Sequence, residues 1–102
     1  MPFINQLKKL GIEPKEYLKK AKTSAKRAGL DPDKLEFSTK HNKKLQYENI
    51  HFGAYGYNDY IIYKLKDDPK AEEYRMRYQK SHGKIKDAGE LSPNQLSLKI
   101  NW

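Results

Sequence analysis

From Ile50 to Tyr63 the chain reads IHFGAYGYNDYIIY, a run that gathers Phe52, Tyr55, Tyr57, Tyr60 and Tyr63 around Gly53 and Gly56. Either these rings make the core of a domain too small to have another, or they present a surface on which nucleic-acid bases stack. A chain of 102 residues has room for one domain and buries only about 60–70% of its unfolded surface. With 36% hydrophobic and 33% charged residues, aliphatic side chains are scarce, so the 12% of aromatics must supply much of the burial. Phe52, Tyr57, Tyr60, Tyr74, Tyr78 and Trp102 are therefore expected to face inward.

Around this run the pattern predicts an α+β domain. Phe3, Leu7 and Leu10 form one stripe of a short helix closed by Gly11, and Pro14 suits the first turn of a second helix reaching about Ala28. Gly29, Asp31 and Pro32 stop that helix. The alternation in KLEFST and KLQYENIHF then predicts a β-hairpin turning at Lys40–Lys43, with a bulge or break near Glu48 and Asn49 where the second strand falls out of step. GAYGYNDY reads as an aromatic loop. Asp68 and Pro69 open a longer helix to about Ser81, ended by Gly83 and carrying Ala71, Tyr74 and Tyr78 on one stripe with Met76 off it. GKIKDAGE is a polar loop, and Ser92, Pro93 and Gln95 begin a last short helix on which Leu96 and Ile100 share a face. The boundary expected at 29–33 separates a lysine-rich helical N-terminal arm, residues 1–30, from a small α+β domain with an aromatic core, residues 31–102.

Several classes of chemistry find no support in these residues. There is no cysteine, hence no disulfide framework or thiolate metal site. His41, His51 and His82 are too scattered for a zinc site of ordinary spacing, and no nucleophile elbow, phosphate loop or paired-carboxylate motif occurs. His51 and Asp59 are candidates to meet as base and orienter, or to make an ordinary structural hydrogen bond. The expectation is a protein that is not an enzyme, with no catalytic residues, no metal and no cofactor. No apolar run approaches the roughly 20 residues needed to cross a bilayer, and no signal peptide is expected.

The formal net charge of +8 favours acidic partners, and it is concentrated: residues 1–50 carry +6 and residues 51–102 carry +2. Lys15, Lys19, Lys20, Lys22, Lys26 and Arg27 on the second helix, with Arg75 and Arg77 in RMRYQKSHGKIK, are the candidate contacts for a partner or for nucleic acid. Cations there would release counterions on meeting phosphate, and interleaved rings would stack on unpaired bases. GAYG also matches the GxxG element that clamps a nucleic-acid backbone in KH domains, although here it follows a strand instead of joining two helices.

KLQYENIHFGAYGYNDY, then DDPKAEEYRMRYQKSHG, then LSPNQLSLKINW, spread over about residues 44–102, resemble a family of small basic proteins of crAss-like tailed phages and large nucleocytoplasmic DNA viruses. Its members share an IHFG strand end, a DY, an Arg-rich helix running into RH, and a final LS with a hydrophobic-Trp ending. This chain has Ser81 before His82, where the family has Arg, and Asn101 before Trp102, where an aliphatic residue is more usual. The resemblance implies a virion location after synthesis in the host cytoplasm. It also implies a role as a minor or auxiliary, cement-like capsid component that binds major capsid protein or other virion proteins. The alternative expectation is a DNA-binding or packaging protein without sequence specificity.

Overall fold

Phe3 and Leu7 lie on the buried side of helix α1 (Pro2–Lys9), and Tyr17, Ala21 and Ala25 on that of α2 (Pro14–Arg27), which Pro14 opens. The computed structural model to which these elements belong describes residues 2–82 and 92–102. The two alanines leave α2 a narrow apolar face that approaches its neighbours closely, while its lysines remain outside. Both helices end in chain reversals: Ile12 N donates to Leu7 O and Leu30 N to Ala25 O, each at 2.9 Å.

Three antiparallel strands follow in the order β1 (Leu35–Phe37), β2 (Lys43–Tyr47), β3 (Ile50–Ala54). Leu35 pairs with Tyr47, Phe37 with Leu45, Leu45 with Phe52 and Tyr47 with Ile50. The register sets Leu35, Leu45 and Phe52 on the buried side. The break expected near Glu48 and Asn49 is a two-residue reversal, so the second strand of the expected hairpin divides into β2 and β3. Glu48 takes φ 53° there. Lys34 holds it through its carbonyl, which accepts Glu48 N at 3.1 Å, and through its ammonium, 2.9 Å from Glu48 Oε1.

Helix α3 (Tyr60–Leu65) begins at Asp59, whose Oδ1 accepts from Ile62 N at 2.9 Å. Helix α4 (Ala71–His82) follows a turn in which Asp68 Oδ1 accepts from Lys70 N at 2.9 Å. Helix α5 (Pro93–Leu96) opens on the expected capping box of Ser92 and Gln95, then widens into a π-helical turn over Ser97–Asn101. Leu96 and Ile100 share its core side as expected. The GKIKDAGE loop and the Gly83 helix stop lie outside the described residues.

The fold is α+β as expected, but its core is composed differently. Phe3, Leu7, Tyr17, Ala21 and Ala25 of the first two helices belong to one buried cluster with Leu35, Leu45, Phe52, Ile62, Leu96 and Ile100. The helices of residues 2–30 thus pack into the same core as the sheet and the C-terminal turn. Their apolar stripe covers the sheet and the C-terminal turn, and each fully buried aliphatic there contributes about 1.5–3 kcal/mol. Among the rings assigned to the core, Phe52 is buried and Tyr57 is not: it is 74% exposed. Tyr57 lies in the reversal beyond β3, where its backbone carbonyl is drawn in to accept from Lys44 Nζ while the ring stays outside. Tyr60, Tyr74, Tyr78 and Trp102 are half-buried. Tyr63, Tyr74, Trp102 and Tyr78 form a side cluster in which Tyr63 and Tyr74 stand 4.4 Å apart, and Tyr78 and Trp102 stack at 4.3 Å and 5°.

Candidate functional site

Helix α2 carries six cations and, among its acids, only Glu16. Lys15, Lys19, Lys22 and Lys26 recur at i, i+4, i+7 and i+11, a single stripe about 16 Å long at 1.5 Å rise per residue. They border one shallow cleft with Leu18 and Pro32. Among the described residues, none of the six α2 cations lies in an ion pair. The arginines of α4 differ: Arg77 lies 2.9 Å from Glu73, and Arg75 lies 3.9 Å from Glu72.

Around the helix the cationic surface continues in steps. Lys19, Lys20 and Arg27 meet Tyr60 and Lys64 of α3 along a second cleft. Arg27 and Tyr60 also border a third, with Arg75, Lys99 and Trp102. Arg75 is held there by three contacts. Its Nε donates to the Trp102 backbone oxygen at 2.9 Å, its guanidinium lies 5.0 Å from the centre of the Tyr60 ring, and Glu72 flanks it. Glu72 also accepts from Tyr60 Oη at 2.5 Å. Burial, and after it the bond to Glu72, pushes the Tyr60 hydroxyl above its ordinary pKa.

Beyond Trp102 lies a cleft of about 350 Å³ whose walls include Tyr57, Tyr78 and Trp102 and whose floor includes Lys44, Asp59 and Asn101. The floor is a polar network. Asp59 Oδ2 accepts from Tyr17 Oη at 2.5 Å, Lys44 Nζ at 3.0 Å and Asn101 Nδ2 at 3.2 Å, and Asn101 Nδ2 also donates to Tyr17 Oη at 2.8 Å. Lys44 and Asp59 side chains are 3% and 2% exposed. Burial, followed by the negative charge of Asp59, raises the Tyr17 hydroxyl well above its ordinary value. Gly53 makes room for this arrangement: at φ +80°, a Cβ there would stand 3.2 Å from Lys44 Cβ and 3.3 Å from Asn101 Oδ1. Four elements meet in the network, which acts as a polar clamp joining α2, β2, the start of α3 and the C-terminal turn.

The expected contact residues thus separate. Lys15, Lys19, Lys20, Lys22, Lys26 and Arg27 form the unpaired surface, Arg75 joins its margin, and Arg77 is engaged along its own helix. His51 and Asp59 do not meet; His51 Nδ1 lies 2.6 Å from Ser38 Oγ, and Asp59 serves the clamp. Gly56 of the GAYG element follows β3 in a turn and joins no second helix. Lys44 and Asn101 were not expected at a site. Among the described residues no group of three or more His, Cys, Asp or Glu is placed to hold a metal ion, and no helix is long and apolar enough to cross a membrane.

The fold and surface define a small basic α+β domain with a cationic helix face leading to an aromatic cleft. Comparison with protein-family models, curated proteins and solved structures finds no match. The viral resemblance therefore rests on the quoted motifs alone.

Proposed function

We propose that this is a non-catalytic binding protein whose α2 face docks on a nucleic-acid phosphate backbone without reading sequence. The observation that carries the reading is the contrast between α2, with six cations and no ion pair among the described residues, and α4, whose arginines face glutamates on their own helix. Unpaired lysines on a rigid helix gain most from an external polyanion, because no internal partner has to be given up and counterions are released from the phosphates. In the setting implied by the resemblance, the nucleic acid would be a viral genome and the protein an auxiliary virion component.

A capsid-binding, cement-like role is the second reading, favoured by Met76 at 69% exposed and Tyr55 at 41% exposed, since such side chains suit a protein interface. Charge reversal separates the two. Lys19→Glu with Lys22→Glu and Lys26→Glu should abolish DNA binding, while Met76→Ala should leave it intact. Loss of DNA binding in neither variant, or equal loss in both, removes α2 as the phosphate-contacting face. If the protein is present in purified particles and binds no DNA at about 50 mM salt, a condition that favours phosphate contacts, the capsid reading takes its place.

A further inference from the structure

We infer that the cleft beyond Trp102 takes one unpaired base of a single-stranded nucleic acid whose phosphates follow α2. This deepens the reading of α2 as a phosphate-contacting face and rests on it.

Successive clefts share lining residues. The first shares Lys19 and Thr23 with the second, the second shares Arg27 and Tyr60 with the third, and the third shares Trp102 with the last. Cations border the clefts before Trp102, with Glu16 among them, and in the last cleft Tyr57, Tyr78 and Trp102 stand among polar side chains. That order suits a strand that is charged along its backbone and carries flat apolar faces. Tyr78 and Trp102 lie parallel within 5°, and Tyr57, 74% exposed, lines the same cleft. A splayed base stacks on such rings whatever its identity. Its volume of about 350 Å³ places the cleft at the lower end of small-ligand pockets. Bases held in a duplex are paired and stacked on their neighbours, so they cannot enter it.

A polar feature of the floor points the same way. Asn101 is 1% exposed, and among the described residues its buried Oδ1 has no hydrogen-bond partner. Its amide nitrogen is committed to Tyr17 and Asp59, and since the Asp59 carboxylate only accepts, the oxygen must turn the other way. It turns toward Gly53, where a Cβ would stand 3.3 Å from it. The amino or imino N–H of a base is the donor that this oxygen lacks.

The test compares a labelled thymidine oligomer of about 12 nucleotides, within the usual range of single-strand sites, with a duplex of the same length. Anisotropy and the emission of Trp102, the single tryptophan, are read together at about 50 mM salt. The single strand should bind and quench Trp102, and Tyr57→Ala should weaken that binding by about tenfold with a much smaller change for the duplex. Tyr57 is too exposed for the substitution to cost core packing, and a melting curve of the variant checks this. Equal binding of both forms without quenching, or single-strand affinity unchanged in Tyr57→Ala, overturns base capture and leaves α2 as a phosphate contact. Binding of neither form overturns both readings.

Discussion

Replacing Asp59 with Asn would test the polar clamp most severely, because the change preserves shape and removes charge. In the native protein one carboxylate oxygen receives Tyr17 Oη, Lys44 Nζ and Asn101 Nδ2, while the other caps α3 through Ile62 N. Asparagine has one acceptor oxygen. If that oxygen keeps the cap, its amide group faces three donors; if it turns inward, Ile62 N is orphaned. The dominant loss is the uncompensated Lys44 ammonium in a site only 3% exposed, about 3–5 kcal/mol for breaking a buried pair. A lost cap would cost about 1 kcal/mol. These effects share partners and do not add, so the expected destabilisation is about 4 kcal/mol against a total of about 5–15 kcal/mol for a domain of this kind. Urea denaturation followed by Trp102 emission and circular dichroism should show it as a lower midpoint. Adding Lys44→Met removes the stranded charge and should restore about half the loss, about 2 kcal/mol. A single-mutant loss below about 1 kcal/mol, or no recovery in the double mutant, would refute the clamp.

Gly53→Ala should destabilise the fold by about 2–3 kcal/mol, combining left-handed strain with contacts to Lys44 and Asn101. Gly56→Ala, at φ +97° with open space around it, should cost only the strain, about 1 kcal/mol, in the same thermal melts. Tyr17 stays protonated in the folded state above the pH at which it ionises when unfolded. Its contribution should be fully present below the ordinary tyrosine value of 10.0 and lost as pH rises from there toward the raised folded value. Tyr17→Phe should flatten that alkaline decline, measured as urea midpoint against pH. Nitration followed by peptide mapping should find Tyr57 readily modified and Tyr17 protected; equal reactivity would contradict the assigned orientations.

The legible parts of the fold were those fixed by local chemistry. Pro14 opens α2, Ser92 and Gln95 make a capping box, and Ala71 faces inward from α4, each for reasons contained within one turn of chain. The break at Glu48 and Asn49 was visible as a loss of alternation, but whether it is a bulge or a reversal depends on the third strand pairing back. Tyr57 departs from the inward orientation expected of a large ring because its loop is anchored by a backbone carbonyl and not by the ring. Lys44 was invisible for a different reason. Its burial depends on Asp59 fifteen residues away and on the space left by Gly53, and neither dependence leaves a pattern in its neighbours. The α2 cations were legible as a charge run, but whether such a run is ion-paired or free is decided by what packs beside the helix.

The most direct test of a phosphate-binding α2 is the salt dependence of duplex DNA affinity. If the six α2 cations each displace a counterion, the slope of log affinity against log salt approaches about −5, and each charge-removing substitution on α2 makes it shallower by about one. Affinity indifferent to salt, or a slope that survives loss of Lys19, Lys22 and Lys26, would contradict it.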